Sequence, residues 1–358
     1  MKGMFDKILE NKGSSEYKGD RNVDAELEEM LKGLKTNIKI VGCGGGGCNT
    51  VSRIIEEGHQ GAEMYVANTD AQHLLTIRGA HKMLLGPRIT KGLGSGALPQ
   101  VGEEAAREVQ EKITEKLSQA NVVFIACGLG GGTGTGSAPV FAKIAKELGA
   151  LTVVFATLPF KAEGSMRMDN ALKGLERLKR VADTTVVVPN ERVLELAPNL
   201  PLSSAFRLAD EVLSTAIVGL NDVITKPGLV NLDFNDMRTI MKNGGMGMIG
   251  FGESDGDRRA EEAIEEAINS PLLSVDLSTS RGIMVNVVGG SDMSVGEAEK
   301  VAEIVHSKVG AGSRIIWGAS VDPTVGKSIK VLLVATGLEM RGVGSPSNTK
   351  NASVEMVS

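Results

Sequence analysis

Cysteine is scarce in this sequence: three residues in 358, Cys43, Cys48 and Cys127, each beside a glycine. Three cysteines make no disulfide framework. Cys43 and Cys48 form at most half of a metal site, and neither a second pair nor a nearby histidine completes it. Reduced thiols are expected. Long apolar runs are missing too: stretches such as VLLVATGL and LTVVFATLPF fall far short of the roughly 18 residues of a membrane span. The opening residues, MKGMFDKILENKGSS, put charge into every turn and hold no apolar signal-peptide core. A cytoplasmic protein with no direct membrane insertion is therefore expected. Positive charge is not in excess either. A net charge of -5 argues against nucleic acid as a partner.

What is present fits a soluble globular chain of about two domains, with 42% apolar and 23% charged residues. The 45 glycines cluster at strand ends, as in ligand-binding α/β proteins, rather than in a repeat or linker. Strand-like NIKIVG, AEMYVANTD, HKMLLG, VVFIACG, LTVVFATLPF and TTVVVPN alternate with helical segments. Apolar strands spaced by helices predict a parallel sheet covered on both faces. Residues 203–225 carry a helical apolar pattern at 206, 209, 213, 216, 217, 220 and 224, with Ser203 as N-cap and Pro227-Gly228 as terminator. Further strands and helices then suggest a second, smaller α/β domain. The expected organisation is an arm at 1–36 with an amphipathic helix in VDAELEEMLKGLK, a first domain at 37–202, a connecting helix and loop at 203–236, a second domain at 237–338, and a polar, disordered tail at 339–358.

Three glycine-rich loops follow strands in the first domain. GCGGGGCN matches G-x-G-x-x-G at Gly42, Gly44 and Gly47. Between a strand and a helix, such a loop aims backbone N–H groups and a helix N-terminus at phosphate oxygens. Alone this signal is weak. With Asp70 ending the second strand it is also compatible with a nicotinamide-dependent enzyme, in which that acid holds ribose hydroxyls. The second loop, GLGGGTGTGSAP from Gly128, is not a P-loop, since no Gly-Lys-Ser/Thr follows. With KGLGSGA as a third, the set suits a triphosphate better than a pyrophosphate bridging two sugars. Tight helix–strand packing is the other use of each glycine.

GGGTGTG, residues 130–136, together with VGCGGGGCN, ANTDAQ, KGLGSGA, EGSMR, VVPN, AFRLADEVL and GLVNLDFNDMRTIM, resembles the tubulin/FtsZ family, in particular its FtsZ branch, over roughly residues 37–338. The resemblance implies a Rossmann-like GTP-binding domain, a long central helix, a smaller α+β C-terminal domain, and a GTPase of cell division. It sets Gly45, Gly46, Gly47, Cys48 and Asn49 along the α- and β-phosphates. It gives Gly132, Thr133 and Gly134 the signature loop's phosphate contacts. Asp70, Ala71, Gly96 and Ala97 fall in the loops that sense the γ-phosphate. Glu163 and Arg167 match the ribose-contacting pair, although their i, i+4 spacing also suits a surface ion pair. Phe206 and Asp210 share a helix face: the ring is placed against guanine and the carboxylate on its N1–H and 2-amino edge, with Asn190 nearby.

GTP hydrolysis needs a group that orients or polarises water, and usually Mg2+ on the phosphates. No metal ligand by direct side chain is evident. Carboxylates occur instead in Asn231-Leu-Asp233-Phe-Asn-Asp236, where helix capping by Asp233, with Asp236 in the first turn, is the simple reading. A helix of about 23 residues spans roughly 35 Å, so this loop lies far from a nucleotide at Phe206. The resemblance implies the resolution: the acidic loop of one subunit, with Asn231, Asp233 and Asp236, completes the site of the next. Subunits then join head to tail into filaments at the division site. Membrane-tether and other division proteins are the further partners implied. Two departures stand out. Cys48 stands where the family usually has glycine, asparagine or another small residue; cysteine is small enough for binding to survive, and thiol modification is an expected route to inhibition. The ending VEMVS is only a fragment of the usual tether-docking peptide, which points toward an archaeal or divergent member. A nucleotide-bound scaffold with little turnover is the alternative reading.

Overall fold

The computed structural model describes residues 36–197, 200–226, 228–230, 232–273, 275–310 and 312–338. The expected arm helix, the tail, Pro227 and Asn231 lie outside them. In chain order the elements are β1 (Ile38–Cys43), α1 (Gly44–Glu56), β2 (Glu63–Asn68), α2 (Ala71–Thr76), β3 (His81–Leu84), α3 (Pro99–Glu108), α4 (Gln110–Leu117), β4 (Val122–Gly128), α5 (Thr133–Glu147), β5 (Leu151–Leu158), α6 (Ser165–Val181), β6 (Thr184–Pro189), α7 (Asn190–Leu196), α8 (Leu202–Thr225), α9 (Phe234–Met241), β7 (Gly245–Ser254), α10 (Arg259–Ile268), β8 (Gly282–Gly289), α11 (Val295–Lys308), β9 (Arg314–Val321) and β10 (Ile329–Thr336).

The strands form one sheet in the order β3-β2-β1-β4-β5-β6-β7-β10-β8-β9. Neighbours from β3 through β7 run parallel. As expected of a parallel sheet, the strands are apolar on both faces because helices cover both. In β1, Ile38 and Ile40 face the core shared with α1 and α8, while Val41 and Cys43 face the opposite core under α5 and α6. Lys39, also on this second face, is buried. Its ammonium donates to the carbonyls of Lys116 and Ser118 at the C-terminal end of α4 (2.7 and 3.0 Å), where a helix dipole favours a cation.

The sheet continues into the second half. β7 pairs with β6 over three residues, Thr184↔Gly245 to Val186↔Gly247, and antiparallel with β10 over eight. α10 and α11 cover β7, β8 and β10 in a third core. The long helix, 24 residues, buries Ala209, Leu213, Ala216, Ile217 and Leu220 against the first core as its periodicity predicts. Its start differs. Pro201, not Ser203, is the N-cap: its backbone is extended (ψ 147°), yet its carbonyl already accepts from the N–H groups of Ser204 and Ala205 (2.9 and 3.0 Å). The helical stretch between β3 and β4 is two helices, α3 and α4, separated at Val109, whose side chain packs against the second core.

One ion network fastens the C-terminal half. Arg259 at the start of α10 reaches Glu297 in the first turn of α11 (2.7 Å) and Asp292 (2.9 Å). Glu297 also closes the capping box with Ser294. The Arg259 hydrogen bond, opposed by burial and helped by Ser294, holds the Glu297 carboxyl down to about 2, from 4.5. A depressed carboxyl contributes stability that is present above its unfolded value and lost as pH falls. Glu297→Gln should therefore destabilise the chain by about 1 kcal/mol at neutral pH, the scale of a partly exposed charged hydrogen bond. In thermal unfolding it should also flatten the loss of stability between pH 4.5 and 2.

Candidate functional site

The sheet order places β1 and β4 side by side with their connections running to opposite sides, the switch point at which open α/β sheets bind ligands. Both strands run into glycine-rich helix starts. α1 begins at Gly44, directly after β1, so the first run is itself the first turn of a helix, whereas in the second run residues 129–132 form a short loop and α5 begins at Thr133. The unsatisfied N–H groups of two helices are thus gathered at neighbouring strand ends.

The glycines divide into two sets. A Cβ on Gly47 would overlap the carbonyl oxygen of Ala126, and one on Gly42 that of Gly47. A Cβ on Gly134 would lie 2.6 Å from the Gly128 oxygen, and one on Gly132 would overlap Ser95 Oγ. These four are required by packing. Gly44 takes φ +72° to turn the strand into the helix. Gly45 and Gly96 differ: a Cβ on either meets nothing within 4 Å. Gly46 is also roomy, its nearest neighbour being Gly128 Cα at 3.5 Å. Open glycine at a helix N-terminus leaves the backbone accessible to a ligand.

Around this turn pair three hydroxyls converge. Thr133 Oγ1 is 2.6 Å from Thr69 Oγ1 and 2.9 Å from Ser95 Oγ, all buried. They join the signature loop to the end of β2 and to the KGLGSGA loop. The latter is also tied by Ala71 N–H to Gly92 O (3.0 Å) and Gly94 N–H to Thr69 O (3.1 Å). Ala97 in this loop has φ +59°, a strained value for a residue with a Cβ. Asp70 caps α2, accepting from His73 N–H at 3.1 Å. Asn49 is exposed on α1. Sequence reasoning passed over Thr69, Ser95 and His73; the position of Ser95 between Gly94 and Gly96 was the available signal.

Cys48 corrects one expectation. Its thiol is fully buried, turned toward the carbonyls of Gly42 and Ala67 (3.5 and 3.6 Å), and burial pushes it up to about 12 against the pull of Ala67. It is neither accessible nor a ready thiolate, so modification is not a route to inhibition. Only its backbone can serve a ligand.

Glu163 and Arg167 form the i, i+4 ion pair (3.0 Å), and Glu163 also accepts from Phe160 N–H (2.9 Å). The Arg167 guanidinium lies 3.7 Å from where a Gly131 Cβ would sit, over the signature loop. Phe206, more than a third exposed, stands edge-on to buried Phe160 at 5.0 Å. One turn on, burial pushes the Asp210 carboxyl up to about 6, with Arg53 of α1 pulling the other way. Asn190, the first residue of α7, is buried, and its Oδ1 has no hydrogen-bond partner among the described residues. Asp233 and Asp236 stand apart at the far end of α8. Asp233 caps α9, accepting from Asn235 N–H at 3.2 Å, as the capping reading expects, and both carboxylates are exposed.

The glycine division is testable by unfolding. Gly47→Ala should cost about 3 kcal/mol, since two backbones must part. Gly45→Ala should stay within about 0.5 kcal/mol.

Residues 37–198 match the GTPase domain of the Tubulin/FtsZ family, and residues 245–339 match the FtsZ family C-terminal domain. The chain is 51% identical over 330 residues to cell division protein FtsZ 1 of Archaeoglobus fulgidus, covering 92% of this chain and 90% of that one. It is 51% identical over 323 residues to cell division protein FtsZ 1 of Thermococcus kodakarensis, covering 90% and 86%. A solved structure of an empty FtsZ dimer from M. jannaschii matches with a TM-score of 0.85 at 48% identity, covering 90% of this chain and 99% of that one. A nicotinamide-dependent enzyme accounts for none of these matches. The chain belongs to the tubulin/FtsZ family, on its FtsZ branch, and carries that family's GTPase domain over residues 37–198.

Proposed function

We propose that this chain binds GTP at the β1–β4 switch point, polymerises head to tail, and hydrolyses GTP when a second copy supplies Asp233 and Asp236. The observation that carries the reading is the pair of helix N-termini at neighbouring strand ends, with open glycine in the first turn of α1. A phosphate chain is the ligand for which such donors are suited. The N–H groups of Gly45, Gly46, Gly47 and Cys48, with Asn49, take the α- and β-phosphates. Gly132, Thr133 and Gly134 take the other side. Asp70, Ala71, Gly96 and Ala97 meet the γ-phosphate. Glu163 and Arg167 hold the ribose.

The base lies against Phe206. Asp210 accepts from its N1–H and 2-amino group, and the orphaned Asn190 oxygen takes a further donor. Among the described residues no three His, Cys, Asp or Glu side chains gather into a metal site. Mg2+ would therefore arrive on the phosphates, where it neutralises charge.

The acids are supplied in trans because α8, 24 residues, separates them from the base-binding end by about 36 Å at 1.5 Å per residue. A site on one end and its completing acids on the other make a heterologous contact, which propagates. Exposed Leu75, Leu93, Leu98 and Met166 around the nucleotide loops, and Leu229 beside the acidic loop, supply apolar area for that contact. At the joint, Asp233 and Asp236 orient and polarise the attacking water, and Asn231 steadies the loop. Loss of the γ-phosphate then loosens the contact. Residues 37–202, 203–236 and 237–338 act as the nucleotide-binding, connecting and C-terminal parts. Division proteins and a membrane tether hold the filaments at the division site in the cytoplasm.

GTP turnover per subunit should rise above a threshold protein concentration in the presence of Mg2+. Asp233→Asn, which keeps the cap, and Asp236→Ala should lower it at least about a hundredfold while GTP still binds. Turnover per subunit that does not depend on concentration would mean that each chain holds a complete site.

Asp210 gives the binding a pH dependence. A guanine edge favours the ionised carboxyl, so binding near pH 6 should release a proton, and GTP affinity should fall below that pH by up to about tenfold per unit. Without nucleotide the sign is opposite: the raised carboxyl supports the fold at low pH, and that support is lost as pH rises through about 6. Calorimetry in buffers of different ionisation enthalpy, with Asp210→Asn as the flat control, measures the proton release.

A further inference from the structure

One side chain joins two of the proposed phosphate-contacting segments without belonging to either set. His73 of α2 places Nε2 3.0 Å from Asn49 Oδ1 on α1, and Nδ1 3.0 Å from Asn68 Nδ2 at the end of β2. Its own N–H is held by Asp70. Asn68 is buried, and its Oδ1 accepts from Asp70 N–H at 3.3 Å. That bond orients the Asn68 amide: oxygen toward the turn, NH2 toward the imidazole. His73 Nδ1 is then the acceptor of that NH2, which assigns the ring N–H to Nε2. Nε2–H in turn donates to Asn49 Oδ1. The Asn49 amide is thereby left with its oxygen occupied and its NH2 facing away from His73.

We propose that His73 is a positioning residue that fixes the Asn49 amide with its donor face toward the nucleotide phosphates, and so couples the first glycine loop to the Asp70–Ala71 turn. The inference rests on the reading that Asn49 contacts a phosphate. Asn49 is exposed and sits in the first turns of a helix, where a free amide samples several rotamers and either face. An amide that turned its oxygen to a phosphate would repel it. Holding the other face outward keeps a donor in place before the ligand arrives.

The test uses the full chain and three probes: GTP, GDP and guanosine, the last lacking phosphate. His73→Leu removes both ring bonds. His73→Gln can put its amide nitrogen near the place of Nε2 and restore donation to Asn49, whereas His73→Asn is too short to reach it. Expected are about tenfold weaker GTP and GDP binding for His73→Leu and His73→Asn, recovery to within about twofold for His73→Gln, and unchanged guanosine binding throughout. In the double variant with Asn49→Ala, His73→Leu should add nothing further. Equal weakening of guanosine binding would make His73 a merely structural residue and overturn the proposal. A loss in Asn49→Ala with none in His73→Leu would overturn it while leaving the phosphate role of Asn49 standing. No loss in Asn49→Ala would remove that role, and this proposal with it.

Discussion

The arrangement depends on one steric constraint: four backbone segments meet at the ends of β1 and β4 with no room for a side chain between them. Gly47 lies against the Ala126 carbonyl, Gly134 against Gly128 and Cys43, Gly42 against Gly47, and Gly132 against Ser95 and Leu98. With these contacts, most of them backbone to backbone, α1 starts directly at the end of β1 and α5 follows β4 after the short loop 129–132, and the first N–H groups of both helices lie at neighbouring strand ends. A single methyl at Gly47 would separate the two strand ends. Gly45 and Gly96 matter for the opposite reason: a Cβ on either would meet nothing, so space is left beside the backbone there.

The hydroxyl cluster of Thr69, Ser95 and Thr133 converts this geometry into a single unit. Each hydroxyl comes from a different loop, and each is buried, so an unpaired one would carry a desolvation cost. The loop from Gly92 to Ala97 is consequently held to β2 at one end and to α5 at the other. A ligand group that disturbs one loop would be felt by the other two. Such coupling suits a site whose response depends on whether a terminal phosphate is present.

The long helix does a different task. Its first three turns carry Phe206 and Asp210, the residues proposed to meet the base, and its middle turns are buried against α1 and the sheet. The chain that follows carries Asp233 and Asp236 on an exposed turn. Asp233 serves as cap within its own chain, and nothing in that duty prevents its carboxylate from facing a neighbour. Capping and catalysis are compatible uses of one side chain, because an N-cap carboxylate keeps lone pairs in excess of the single N–H it accepts.

Much of this was legible in the residues. Apolar strands between amphipathic helices determined a parallel sheet covered on both faces, because alternate side chains of a doubly covered strand must all be apolar. Glycine at strand ends marked the region proposed here for the ligand, and a 3.6-residue periodicity from 203 to 225 determined the long helix to within a residue. Contacts between segments remote in sequence were decided only by the tertiary structure. Gly45 and Gly47 are identical letters two positions apart, yet one is open and the other is jammed against a carbonyl of a different strand. Cys48 looked reactive beside its glycines, but its thiol is buried under β2. Ser95, Thr69 and His73 gave no periodic signal, since their partners lie 38, 64 and 24 residues away. Local sequence fixes backbone conformation through sterics and periodicity, whereas burial, desolvation and hydrogen-bond pairing are properties of what packs alongside, which only the folded chain supplies.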